Sequence, residues 1–323
     1  MLNLTPMIFF RRWWRTAGLS EPVVAEGFSR PTGRPTGVAV KPFPQPAGRG
    51  GGDGRQKAWK SPPPLPVSVC IIAGNDVHRI ARTLASVQGW TSEIIVVVDD
   101  QVQDGTDRVA VAHGARVFSQ PWQSHAVHRN FATAQATQPW ILAIDTDEVV
   151  SDALRAEIIA VFQGRDGCPA PAAYRFPRLS YFCGRWIRHG DWYPDRKVRL
   201  WQQGAGDWQG NPHEKLVVRG PVATLRGDLL HYSNESIEQF LGKMTRITDL
   251  FVRQHEARHR RAGWADLVIR PAWKFFRGYV IRGGFLDGWP GYLIASGNAF
   301  STLVRYSKVK EAKVGEGPRE GLE

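Results

Sequence analysis

The chain has 323 residues, 42% hydrophobic and 22% charged, with a formal net charge of +12. That apolar content is enough for one large domain or two modest ones, which excludes wholesale disorder, and no collagen or heptad repeat runs through the sequence. The charge is uneven: Lys and Arg outnumber Asp and Glu ten to three in residues 1–66 and fifteen to eight in 241–323, whereas 67–240 hold seventeen against nineteen. Basic ends on a near-neutral middle suit an anionic membrane surface as well as they suit nucleic acid.

Residues 1–66 read as a disordered basic extension, with Gly50-Gly51-Gly52 and Pro62-Pro63-Pro64 and too little apolar surface to offset its ordering entropy. Residues 1–16 fit either a short amphipathic anchor or translation from a start upstream of the true one. The order of residues is not that of a secretory signal, because Arg11, Arg12 and Arg15 follow the apolar stretch 7–10. Cys70, Cys168 and Cys183 are too few and too scattered for a disulfide framework or a zinc site, and fit a reducing, cytoplasmic compartment.

From residue 67 the texture changes. An apolar strand at 67–73 is followed by a helix at 77–88, where Ile80, Leu84 and Val87 share one face. A second strand at 94–98, a helix at 104–113, a short strand at 116–118, a helix at 125–136, a strand at 140–144 and a helix at 152–162 follow. Strands apolar throughout, alternating with amphipathic helices, specify an α/β fold with a mostly parallel sheet covered on both faces. Ligands bind such sheets outside the carboxyl ends of the strands. Short segments rich in Trp, Arg, Gly and Pro run from 164 to 230, and helices mixing cations and aromatics run from 236 onward. The expected organisation is a domain at 67–235 with halves at 67–148 and 149–235, a helical region at 236–310 and a flexible tail at 311–323. No uninterrupted apolar run of about 20 residues exists, so no spanning helix is expected; the best candidate, 279–304, is broken by Arg282, Asp287 and Pro290.

Carboxylates crowd two strand ends. Asp99 and Asp100 end the second strand, and Asp145, Asp147 and Glu148 end the fourth. Asp145 and Asp147, one residue apart past a buried strand, can both face the crevice, and such crowded like charges repel unless a cation is present. Hard oxygen ligands at that spacing suit Mg²⁺ or Mn²⁺ shared with a diphosphate.

These residues carry a resemblance. Val67–Glu148 is similar to the nucleotide-binding half of the family 2 glycosyltransferases of GT-A fold, through Asn75-Asp76, Val98-Asp99-Asp100, Asp104-Gly105-Thr106, the segment His128-Arg129-Asn130-Phe131-Ala132, and Asp145-Thr146-Asp147 as the DxD. Segments 182–195, 211–214, 227–232 and 284–288 extend the likeness toward the branch that includes lipopolysaccharide core glycosyltransferases, over residues 67–310. Two features depart from the family: Asp76 stands where Glu is usual, and Gln101-Val102-Gln103 replaces a small Gly/Ser-rich turn.

The resemblance implies an inverting transfer from a nucleotide-diphosphate sugar, with UDP the favoured nucleotide, to a saccharide or lipid-linked saccharide of a surface glycan. Asn75, Asp76 and Asp99 would contact base and ribose, with Arg129, Asn130 and Asp145 also in the donor site. Asp147, Asp145 and His231 would hold Mg²⁺ or Mn²⁺. Glu214 would be the base that takes the acceptor proton, with Asp195 and Asp191 as rivals. Transfer to a polyprenyl phosphate or a protein side chain is the alternative within the enzyme class.

Trp186, Trp192, Tyr193, Trp201 and Trp208 could stack on sugars or pack a core. Trp264, Trp273, Tyr279 and Trp289, mixed with Arg270, Lys274, Arg277 and Arg282, have the composition of an element lying on anionic lipid, which implies a peripheral position on the inner face of the plasma membrane. An RNA-binding module shares that composition but leaves the strand-end carboxylates without a purpose, so nucleic acid is not the expected partner. A catalytically dead scaffold would not need Asp145, Asp147 and Glu214.

Overall fold

The sheet is organised by the alternation of side chains along its strands. Strands β1 (Leu65–Ala73), β2 (Thr91–Asp99), β3 (Arg116–Gln120) and β4 (Trp140–Asp145) run parallel in the order β3-β2-β1-β4. Val69 and Ile71 of β1, Val96 of β2 and Leu142 of β4 enter one apolar cluster, while their neighbours Cys70, Ile95, Val97 and Ile141 enter another. A period of two thus feeds both faces, as a doubly covered sheet requires. Helices α1 (Val77–Val87), α2 (Thr106–Ala112) and, further along, α4 (Asp152–Gln163) cover the first face; α3 (His125–Ala134) covers the second. Ser124 caps α3 by accepting from Val127 N, and Ser151 caps α4 by accepting from Leu154 N.

The computed structural model describes residues 63–164, 171–210, 214–234, 236–256 and 262–314, all within one unit spanning 60–323. Of the extension expected at 1–66, residues 1–62 lie outside the described residues and 65–66 already belong to β1; Cys168 and residues 315–323 of the tail expected at 311–323 also lie outside them, whereas 311–314 continue the last helix. Cys70 and Cys183 are free thiols.

Beyond α4 the parallel pattern ends. Strand β8 (Asp195–Gln202) runs antiparallel to β4, β6 (Ala173–Phe182) antiparallel to β8, β12 (Leu229–Asn234) parallel to β6, and β5 (Glu148–Val150) antiparallel to β12. The expectation of a mostly parallel sheet therefore holds for the first four strands, and the complete sheet is mixed. The reason is that the stretch from β6 to β12 contains no crossover helix among the described residues, and short connections join antiparallel strands. A separate hairpin, β9 (Gly206–Gln209) with β10 (Lys215–Val218), lies on the α3 face, and β7 (Arg185–Ile187) and β11 (Val222–Thr224) border β6.

The C-terminal region is helical: α5 (Ile237–Glu256), a continuous run over 265–281 with α6 (Arg270–Phe276) between two π-helical turns, a 3₁₀ turn at Gly284–Asp287, and α7 (Gly288–Val314). Phe240 of α5 and Ile294 of α7 pack on Phe182 and Ile187, with Trp192 alongside. Buried Asp287 accepts from Arg188 N at 3.3 Å and His189 N at 2.8 Å, so the segments 182–195 and 284–288 meet. Gly291 lets α7 close tightly on the 3₁₀ turn before it, since a Cβ there would stand 1.9 Å from Gly284 O. Among the described residues no helix is long and apolar enough to cross a membrane.

Candidate active site

A cavity of about 400 Å³ opens where β1 and β4 end, lined among others by Asp76, Arg79, Arg129, Asp147, Glu214 and His231. It lies outside the carboxyl ends of the parallel strands, where open α/β sheets bind ligands. Asp76 is fixed there by accepting from Gly74 N at 3.1 Å, while its own N–H donates to Thr106 Oγ1 at 2.9 Å. Asn75 and Asp99 brace the rim: Asn75 Oδ1 accepts from Gln103 N at 3.3 Å and Asp99 Oδ1 from Gln101 N at 3.2 Å. Neither lines the cavity itself.

The turn from β4 into β5 places the acidic residues. Glu148 Oε2 accepts from Asp145 N at 3.0 Å and closes the turn. Strand β12 then pairs with β5 so that His231 stands opposite Glu148, and Tyr232 N donates to Asp147 O at 2.9 Å. This register brings His231 Nε2 to 3.5 Å from Asp147 Oδ2, with Ser180 Oγ 3.3 Å from His231 Nδ1. Burial pushes the Asp147 carboxyl up, but the hydrogen bond and charge of His231 outweigh it and hold it below the usual range.

Asp145 is occupied differently. Its two oxygens take Arg129 Nη2 at 2.6 Å and Arg199 Nη2 at 2.9 Å. Burial alone would raise this carboxyl; the two guanidinium charges hold it far below the usual range. Fully buried Glu148 is paired with Arg199 at 3.0 Å and Arg178 at 3.3 Å. Arginines therefore supply the counter-charge that the crowding of Asp145 and Glu148 demands. Asp147, with His231 beside it, is not paired with an arginine, and these two residues could hold a divalent cation. Two protein ligands of this kind fit Mg²⁺ or Mn²⁺, which commonly binds through one or two carboxylates plus substrate phosphates; the described residues contain no group of three or more such ligands.

A second cavity, of about 620 Å³, lies on the other side of Arg129 and Asp145. Arg129, Asp145 and Glu214 line both cavities. Glu214 Oε1 stands 3.9 Å from Arg129 Nε. The rival carboxylates are placed elsewhere. Asp195 is held by Arg178 at 2.8 Å and Lys197 at 3.1 Å, and Asp191 by Lys274 at 2.8 Å, Arg282 at 3.1 Å and Arg277 at 3.2 Å, and neither lines the two cavities.

Asn130 does not line the cavity at the strand ends. Its amide is spent on the Trp208 backbone, donating to O at 2.9 Å and accepting from N at 2.9 Å, which pins β9 to α3. The Trp208 ring in turn lies 4.6 Å from the Arg129 guanidinium and 5.8 Å from that of Arg199. Of the five aromatic residues singled out by sequence, Trp208 lines the second cavity, Trp201 is fully buried and Trp192 packs beneath the C-terminal helices.

Sequence reasoning did not single out Arg178, Arg199, Arg79 or Trp122 for this site. The first two carry a legible signal in their neighbours, since Arg178 stands beside Leu179 and Arg199 between Val198 and Leu200, and an arginine needs a carboxylate partner once buried. Arg79 and Trp122 carry none, because one follows a loop and the other lies within one.

Residues 68–214 match the family model described as Glycosyl transferase family 2. An uncharacterised glycosyltransferase of Rickettsia typhi is 28% identical over 255 residues, which span 76% of this chain and 87% of that protein. The lipopolysaccharide core biosynthesis glycosyltransferase LpsC of Rhizobium meliloti is 27% identical over 255 residues, spanning 76% of this chain and 93% of LpsC. Among solved structures, S. aureus TarS 1–349 in complex with UDP-GlcNAc aligns with a TM-score of 0.39 and 12% identity, over 79% of this chain and 93% of that one.

Proposed function

We propose that this chain, a family 2 glycosyltransferase by its domain at residues 68–214, moves a sugar with inversion from a nucleotide-diphosphate donor to a saccharide or lipid-linked saccharide of a cell-surface glycan. The observation that carries the reading is the position of Glu214, which lines the cavity at the strand ends and also the cavity beside it. A donor in the first and an acceptor in the second would meet at this carboxylate. Glu214 would then accept the proton of the attacking hydroxyl.

Asp76, with Asn75 and Asp99 at the rim, would contact base and ribose, and UDP is the nucleotide we favour. Asp147 and His231 would hold Mg²⁺ or Mn²⁺, which when bound offsets charge on the departing diphosphate. Asp145, already paired with two arginines, would orient Arg129 toward the donor. The similarity to LpsC supports a lipopolysaccharide core or related acceptor. Isothermal titration with a panel of nucleoside diphosphates, with and without Mn²⁺, tests the reading. Binding that needs metal and is lost in Asp147→Asn supports it, and a folded protein that binds none of the panel refutes it.

A peripheral position on the inner face of the plasma membrane is favoured by a separate observation. Ile269, Trp273, Phe276 and Val280 follow one another a helical turn apart and remain 65%, 54%, 48% and 46% exposed, and Trp264 is 77% exposed and Trp289 60%. Lys274, Arg277 and Arg282 share the single carboxylate of Asp191, which leaves this region cationic. Exposed aromatics beside excess positive charge match an anionic lipid surface.

A further inference from the structure

The cavity on the acceptor side of Glu214 carries more positive charge than its own carboxylates can balance. Arg129, Arg178, Arg196, Lys197, Arg199 and Lys215 line it, against Asp145 and Glu214. Glu148 and Asp195, just outside it, pair with lining cations. Counting those two carboxylates as well still leaves two positive charges in excess. The excess has an address: Arg196 on β8 and Lys215 on β10 make no ion pair among the described residues, and both face the same concavity.

Two further observations point to a ligand. Arg199 is 5% exposed, yet its Nε and Nη1 have no hydrogen-bond partner among the described residues. Buried guanidinium donors left unmade are costly, and Arg199 is one of the residues that line this cavity, beside the space a bound molecule or ordered water would fill. The donor diphosphate does not account for the charge, because Arg178, Arg196, Lys197 and Lys215 are absent from the lining of the donor cavity. The indole of Trp208 adds an aromatic wall suited to a sugar face.

We propose that this second cavity selects an acceptor saccharide that carries a phosphate or carboxylate group, with Arg196 and Lys215 as the residues that recognise the anion. The inference rests on the glycosyltransferase reading above. It adds the chemical class of the acceptor and the residues that set it. Arginine and lysine on opposite strands would clamp a phosphate or carboxylate through charge-assisted hydrogen bonds, while the hydroxyl to be glycosylated is presented to Glu214.

Isothermal titration on the full chain, with Mn²⁺ and the nucleoside diphosphate that binds best, tests this with four probes: glucose 6-phosphate, glucuronate, glucose and inorganic phosphate. The expected result is that at least one anionic sugar binds about tenfold or more tighter than glucose and tighter than inorganic phosphate. The sugar phosphate and uronate arms then tell which anion is preferred. The double variant Arg196→Gln/Lys215→Gln, with both sites at the cavity rim, should erase that preference and leave nucleotide affinity within about twofold, and added salt should weaken the preference in the native chain. Equal binding of glucose, inorganic phosphate matching the sugar phosphate, or a preference that survives the double variant would each overturn the proposal. If nucleotide binds but no anionic preference exists, this inference alone falls. If no nucleoside diphosphate binds, the glycosyltransferase reading falls with it.

Discussion

Arg129 Nη2 donates to Asp145 Oδ1 at 2.6 Å, a contact that ties α3 to the carboxyl end of β4. The pair is buried enough that removing the cation leaves Asp145 dependent on Arg199 alone. Breaking a buried pair from one side costs about 3–5 kcal/mol, and the remaining arginine should hold the loss near 3 kcal/mol. Arg129→Met is therefore expected to lower the urea midpoint by that equivalent. A change below about 0.5 kcal/mol would show that the pair does not anchor the helix.

His231 owes its place to the pairing of β12 with β5, which no local pattern around it announces. Its partner across the gap is Asp147, 3.5 Å away. His231→Ala should raise the Mn²⁺ concentration needed for nucleotide binding about tenfold or more, and leave the weak metal-free binding as it was. Unchanged metal dependence, read by titrating Mn²⁺ at fixed nucleotide, would remove His231 from the ligand set.

Glu93 gives a pH signature far from the site. Burial raises its pKa, but hydrogen bonds from Ser68 and Thr137, together with Arg116, hold it below the ordinary value. A lowered folded pKa contributes stability that is complete above the unfolded value of about 4.3 and fades as pH falls through the folded one. Glu93→Gln should thus be less stable than the native chain by about 1–3 kcal/mol at pH 7, with the gap closing below pH ~4. Urea unfolding across pH reads this directly, and a gap that stays constant or widens toward acid would show that the carboxylate charge is not the cause.

The exposed Trp264 and Trp289 should matter only where lipid is present. Replacing both with serine is expected to leave the unfolding midpoint within about 0.5 kcal/mol, because exposed side chains bury little on folding. The same change should weaken sedimentation with phosphatidylglycerol-containing vesicles about tenfold or more. Equal sedimentation of variant and native chain, or equal binding of neutral vesicles, would count against an anionic membrane surface.

The first, parallel half of the sheet was legible because its signal is local. Val67–Ala73, Ile94–Val98 and Trp140–Ile144 are apolar but for Ser68, and the latter two run straight into Asp99 and Asp145, so strand, turn and crevice follow from composition alone. The second half was not, since β8 lies between β4 and β6 and β5 lies beyond β12, pairings that join residues distant in sequence. Side-chain roles divided in the same way. Asp76, Asp147, His231 and Glu214, brought together by the resemblance alone, line one cavity. Asn130 carries no mark in the sequence of which backbone it will clamp, and here the clamp is on Trp208. The partners of Asp145 were hidden for a related reason: Arg199 reaches it only through the antiparallel pairing of β8 with β4.

Glu214 is the residue on which the functional account turns, and it can be separated from the donor site. In Glu214→Gln the side chain keeps its shape but loses the ability to accept a proton at neutral pH. The measurement is sugar transfer and nucleotide-sugar binding on the same preparation, native against Glu214→Gln. A general base contributes about 10²–10⁴ in rate, so the account predicts a loss of transfer in that range with donor affinity within about twofold. Transfer that persists near the native rate, or donor binding that collapses together with it, would contradict the assignment.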